Sequence, residues 1–103
     1  MTKIALEDLT DHAMLIRRIR DDERLLATHV SLFTALFVQW QHNDFTSPFP
    51  ITRKELMGYS KIASIATYHK CIRELDKYGY IRYQPSFSPV RGSLVYWKEN
   101  VTE

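Results

Sequence analysis

Four histidines, one cysteine and a run of three acids are the residues of this chain best suited to chemistry. His12, His29, His42 and His69 are scattered. Only His42 and Asp44 lie close in sequence, and two ligands do not make a metal site. Cys71 is alone, which excludes an intrachain disulfide and a cysteine-based zinc cluster. It falls on a helix face assigned to the core, where a small thiol packs as an apolar side chain. Asp21-Asp22-Glu23 lacks the spacing of a calcium loop. No glycine-rich phosphate loop and no Ser/His/Asp arrangement is visible. The expectation is therefore no enzyme, no cofactor, no metal and no small-molecule ligand.

The remaining chemistry is electrostatic, and it is concentrated in one half. Net charge is only +2. Residues 1–47 hold five basic and seven acidic side chains, whereas residues 48–103 hold nine basic and five acidic. Between Ile51 and Gly92 there are eight basic and three acidic residues, a local charge of +5. A polyanion meets such a local field rather than the average charge. The cations in question are Arg53, Lys54, Lys61, Lys70, Arg73 and Arg91, joined by Lys77 and Arg82.

The elements that must position them belong to one domain. The chain has 103 residues, 45% hydrophobic and 13% aromatic, enough for a single core and too few for two. With Gly at 3 and Pro at 4, collagen-like and low-complexity readings are excluded. The longest apolar stretch, Leu32 to Trp40, is interrupted by Thr34 and Gln39 and is too short to span a bilayer. Met1-Thr2-Lys3-Ile4 begins without a long apolar region, so no signal peptide is expected. A reduced, cytoplasmic setting fits the single thiol.

Periodicity predicts a first helix from about Leu6 to Arg20, with Leu9, Ala13, Ile16 and Ile19 or Arg20 on the apolar side and Arg17 and Arg18 opposite. Asp21-Asp22-Glu23 interrupts it and suits the positive end of the next helix. That helix runs from about Leu26 to His42 and is apolar almost all round through Val30, Phe33, Leu36, Phe37 and Trp40, which makes it the central one. Pro48 and Pro50 forbid helix and leave room for a short strand at Phe49–Ile51. Thr52-Arg53-Lys54-Glu55 is a capping box that opens a short helix to about Tyr59, with Gly58 as its stop. Ser64 opens another helix, whose Tyr68, Cys71, Ile72 and Leu75 share the core face, and Gly79 ends it. The period then changes to two. Tyr80–Tyr83 and Ser93–Trp97 read as strands around a loop at 84–92, a β-hairpin with a long tip.

Helix, turn, helix, glycine, strand, loop, strand is the order of a winged helix-turn-helix, and at this point the chain resembles the bacterial winged-helix regulators. The resemblance is carried by Ser64-Ile65-Ala66-Thr67-Tyr68-His69-Lys70-Cys71-Ile72-Arg73-Glu74-Leu75 and by Tyr78-Gly79-Tyr80-Ile81. It covers about residues 28–97. The chain also looks like small helix-turn-helix proteins found near conjugative elements. The implied fold class is α+β, mainly α: a winged helix-turn-helix over 26–98, an N-terminal helical extension over 1–25, a C-terminal β-hairpin wing, and a loose tail at 99–103.

The implied function is double-stranded DNA binding, in transcription regulation or as a mobile-element accessory factor. With Tyr68, Cys71, Ile72 and Leu75 inward, Ala66, Thr67, His69, Lys70, Arg73 and Lys77 point outward. A major groove roughly 12 Å wide admits a helix whose leading residues are small. Ser64, Ala66 and Thr67 supply that leading turn. Thr67 and His69 are placed against base edges, Lys70 and Arg73 against bases or phosphates, and Arg53, Lys54 and Lys61 against the phosphate backbone. Arg91, near the wing tip, suits a minor groove or a phosphate. Family members pair through elements outside the motif. The helix at 6–20 is the element available for a homodimer here, although its apolar stripe also suits the chain's own core.

Blander readings stand beside these. Lys70, Arg73 and Lys77 also describe an ordinary solvated helix face. Tyr68, Tyr78, Tyr80, Tyr83, Tyr96 and Trp97 suggest stacking platforms for single strands, but core and hairpin packing accounts for most of them. Phe87 in the loop tip fits a groove, the hairpin or a partner equally. The alternative function is a winged-helix protein-interaction module that binds no DNA, kept open by the modest charge.

Overall fold

The computed structural model describes residues 6–86 and 92–97, with side chains from residue 13 onward. The chain is α+β and mainly helical. In order come α1 (Leu6–Asp21), α2 (Ala27–His42), β1 (Phe49–Ile51), α3 (Arg53–Ser60), α4 (Ile65–Lys77), β2 (Ile81–Gln84) and β3 (Ser93–Trp97). The three strands form one antiparallel sheet in the order β1-β3-β2. This order is compatible with a winged-helix arrangement. No helix among the described residues is long and apolar enough to cross a membrane.

Local signals set several boundaries. Thr52 accepts the Glu55 amide on its hydroxyl at 3.2 Å and starts α3, as a cap should. The reciprocal arm differs from the expected capping box, because the Thr52 hydroxyl donates to the Glu55 carboxylate at 3.0 Å. Ser64 accepts the Thr67 amide at 3.2 Å and starts α4. Gly79, at φ +86°, turns the chain from α4 into β2, a conformation that costs glycine nothing. Pro50 sits in β1, an edge strand, where its missing N–H removes no interior ladder bond.

The core lies between α2, α3, α4 and the sheet. Leu32, Phe33 and Leu36 from α2 meet Leu56, Ile72, Leu75, Tyr80, Ile81 and Val95, all fully buried. Val95 is the centre of the sheet, opposite Phe49 on one side and Tyr83 on the other. Trp97 closes the cluster with ring contacts to Phe33, Phe49 and Trp40, the centroids 5.4 to 5.6 Å apart. The edge-on pairs with Phe33 and Trp40 add to the area that each ring buries.

Four expectations are corrected. Gly58 does not stop α3. The helix runs to Ser60, and Lys61 makes the exit in the left-handed region at φ 63°. The reason is tertiary: the Ser31 hydroxyl from α2 donates to the Ser60 carbonyl and satisfies the helix end there. On α1, Leu15 and Ile19 are buried, whereas Ala13 and Ile16 are exposed. Leu15 and Ile19, four residues apart, share one face, from which Ile16 is turned by about 100°. Arg18 is itself exposed beside that face, and its guanidinium lies 4.8 Å from the centre of the Tyr80 ring. Val30, expected on the core face of α2, is exposed. The acids at 21–23 do not cap α2, whose first turn holds none. Asp21 instead pairs with Arg20 and Asp22 with Arg24.

Candidate nucleic-acid interface

The candidate surface is built on α3, the turn after it, and α4. Burial of Tyr68, Cys71, Ile72 and Leu75 fixes the rotation of α4 about its axis. At 100° per residue, Ala66, Lys70, Arg73 and Lys77 then fall within an arc of about 60° on the opposite side. All four are exposed. Arg53 and Lys54 open α3 and are exposed, and Lys61 is exposed in the turn. None of these six cations has an ion-pair partner among the described residues.

The cations of the first half behave differently. Arg20 forms a 2.9 Å pair with Asp21, and Arg24 a 2.7 Å pair with Asp22. The Arg24 guanidinium also stacks on Tyr78 at 4.1 Å. Hydrogen bonds from Arg24 first, and then from the Tyr80 hydroxyl, hold the Asp22 carboxyl well below the usual carboxylate range against the opposing effect of its desolvation. Burial, reinforced by the bond to Asp22, pushes the Tyr80 phenol up to about 12.

Not every expected residue is equally presented. Ser64 is exposed, but its hydroxyl is engaged in capping α4. Thr67 is half-buried and turns toward a shallow groove of about 340 Å³ shared with Ala27, Ser31, Ser60, Ile62 and Ala63. His69 is half-buried with its ring 5.2 Å from that of Tyr68. Ala66, Lys70 and Arg73 are therefore more prominent than the Thr67–His69 pair. Arg91 and Phe87 lie outside the described residues.

Lys77, read from the sequence as outward-facing but given no contact, shares the arc of Lys70 and Arg73 and joins the site. One exposed residue of α4 escaped sequence reading. Ile65 opens α4 and remains 49% exposed, an apolar side chain about 100° round the helix from Ala66. Its distance from the Tyr68–Leu75 face was the available signal.

Among the described residues, the six aromatics considered for stacking are engaged in packing. Tyr68 and Tyr80 are buried, and burial pushes the Tyr68 phenol up to about 12. Tyr78, Tyr83 and Trp97 pack partly buried against the core. Tyr96 is covered by the Arg82 guanidinium at 4.3 Å. Cys71 is buried. No group of three metal-ligating side chains comes together among the described residues.

Comparison of the chain with protein-family models, with characterised proteins and with solved structures finds no match in any of the three.

Proposed function

We propose that the chain is a double-stranded DNA-binding winged-helix protein, acting in transcription regulation or as an accessory factor of a mobile element. α4 enters the major groove, α3 and the turn hold the phosphate backbone, and the wing at 84–92 rests on the minor groove or backbone. The observation that carries this reading is the outer arc of α4. Its leading residue Ala66 is small, its following residues Lys70, Arg73 and Lys77 are exposed cations, and it holds no acid. A helix of this kind can approach base edges closely while its cations displace counterions.

The site is modest for one copy. Five phosphate contacts, one each from Arg53, Lys54, Lys61, Lys70 and Arg73, give a log–log salt slope of roughly −4.5. Two copies on adjacent half-sites multiply that effect. Exposed Met14 and Ile16 on α1 favour pairing through that helix.

The test is fluorescence anisotropy with a labelled random duplex. Between about 50 and 200 mM salt, wild-type affinity should fall by about 500-fold and that of the Lys70→Ala/Arg73→Ala variant by only about 40-fold. Charge reversal at both positions should abolish binding. Unchanged affinity in the reversed variant would end the groove model.

One observation favours a second reading. From Leu26 to His42 the chain holds no Asp, Glu, Lys or Arg. The solvent side of α2 includes exposed Ala27, Val30 and Thr34. An uncharged helix face suits a protein partner, and absence of duplex binding at low salt would make protein interaction the function.

A further inference from the structure

The leading turn of α4 is unusual for a helix that meets DNA, because it has almost nothing with which to donate a hydrogen bond. Ser64 caps the helix through its hydroxyl, Ile65 and Ala66 are exposed, and Thr67 is half-buried. Arginine, lysine, asparagine and glutamine, which read bases by hydrogen bonding, are missing from residues 64–67. The first cation on α4 is Lys70, more than a turn further on. What this turn offers instead is hydrocarbon: the Ile65 side chain, 49% exposed, and the Ala66 methyl. Only one base-pair feature of the major groove is itself hydrocarbon, the C5-methyl group of thymine.

We infer that Ile65, exposed at the N-terminal end of α4, is a specificity-determining contact that reads thymine methyl groups in the major groove. The inference rests on the duplex-DNA reading above and adds the sequence preference of its leading end. Capping by Ser64 fixes where the Ile65 side chain leaves the helix. Lys70 and Arg73 then lie along the next two turns, where they reach phosphates or guanine. A site read in this way has thymines under the start of α4.

Two duplexes that differ only in the methyl group provide the test: alternating poly(dA–dT) and alternating poly(dA–dU). The wild-type protein should bind the thymine duplex more tightly, by about fourfold for each methyl group covered. Ile65→Ala should bring the ratio close to one while keeping the salt slope, which reports phosphate contacts alone. Because Ile65 is half exposed, this variant keeps its fold, which circular dichroism checks. Equal wild-type binding to both duplexes would overturn the inference and leave DNA binding intact. So would an unchanged ratio in Ile65→Ala, which would trace the preference to duplex shape. Binding to neither duplex would overturn the DNA reading, and this inference with it.

Discussion

Replacing His29 should unlock α2 from α4. The imidazole is 2% exposed and satisfied on both sides. Its Nδ1 accepts the Leu26 amide at 2.8 Å, and its Nε2 donates to the Glu74 carboxylate at 2.8 Å. One bond caps the start of α2 and the other spans to α4, so His29 acts as a local cap and a tertiary tie at once. Truncation to alanine orphans the Leu26 amide, strips the half-buried Glu74 of a charge-assisted bond and leaves a void. Loss of a cap costs about 1 kcal/mol. An unsatisfied buried partner costs roughly 1 to 3 kcal/mol. The total for His29→Ala is therefore about 2 to 4 kcal/mol, a large share of a stability on the order of 5 to 15 kcal/mol. Urea unfolding followed by circular dichroism measures it, and the double variant with Glu74→Ala isolates the tie. The coupling energy should be about 1 to 2 kcal/mol. Glu74→Gln keeps an acceptor oxygen for Nε2 and should cost clearly less than Glu74→Ala. A His29→Ala loss under about 1 kcal/mol, or a coupling near zero, would refute the assignment.

Lys61→Gly relieves a lysine held at φ 63°. It should stabilise the fold by up to about 1 kcal/mol in thermal unfolding. It should also reduce the salt slope of duplex binding by roughly 0.9, so that stability rises while affinity falls. Asp22→Asn should flatten the acid limb of stability. The folded carboxyl is held below its ordinary 3.8, so the unfolded chain binds the proton more readily. The stabilisation is then complete above about pH 4 and disappears as pH falls through the lower folded value. Denaturant midpoints between pH 2 and 7 check this, and identical pH profiles for wild type and variant would contradict it. Leu75→Ala, at a fully buried site on α4, should cost roughly 2 to 5 kcal/mol in urea unfolding, and a loss under about 1 kcal/mol would contradict its place in the core.

Much of the fold was legible because its signals are local. The Thr52 and Ser64 caps, the spacing of Tyr68, Cys71, Ile72 and Leu75, the turn at Gly79 and the alternation through Ser93–Trp97 each act within a few residues, and the structure places an element at each. The short strand at Phe49–Ile51 followed from what two prolines forbid and permit. What was not legible depends on partners far away in the chain. His29 looks like one of four scattered histidines until Glu74, 45 residues later, is beside it. Asp22 looks like a helix-start acid until Tyr80, 58 residues later, donates to it. Gly58 is a reasonable stop until Ser31 sets the end of α3 at Ser60. For the candidate interface, the exposed cations followed from helical spacing. The half-burial of Thr67 and His69 depends on neighbouring elements that spacing alone does not describe.

These distant contacts also explain why a weakly basic chain can present a basic surface. The joint between α4 and β2 is Tyr78-Gly79-Tyr80, and the α1–α2 connection holds it on several sides. Arg24 covers Tyr78, Arg18 covers Tyr80, and Asp22 accepts the Tyr80 hydroxyl at 2.9 Å. Leu15 and Ile19 seat α1 on the same body. Three of the cations in the first half, Arg18, Arg20 and Arg24, are thus engaged with rings and carboxylates of the same chain. The acids Asp21 and Asp22 are neutralised there too. On α3 and α4 the cations have no such internal partners among the described residues, so their field is directed to solvent. Screening limits each charge to about 8 to 10 Å at moderate salt. A polyanion at α4 therefore responds to Arg53, Lys54, Lys61, Lys70, Arg73 and Lys77 rather than to the net +2 of the whole chain. The same joint sets the angle between α4 and the hairpin, which ties the first helix to the geometry of a surface it does not itself form.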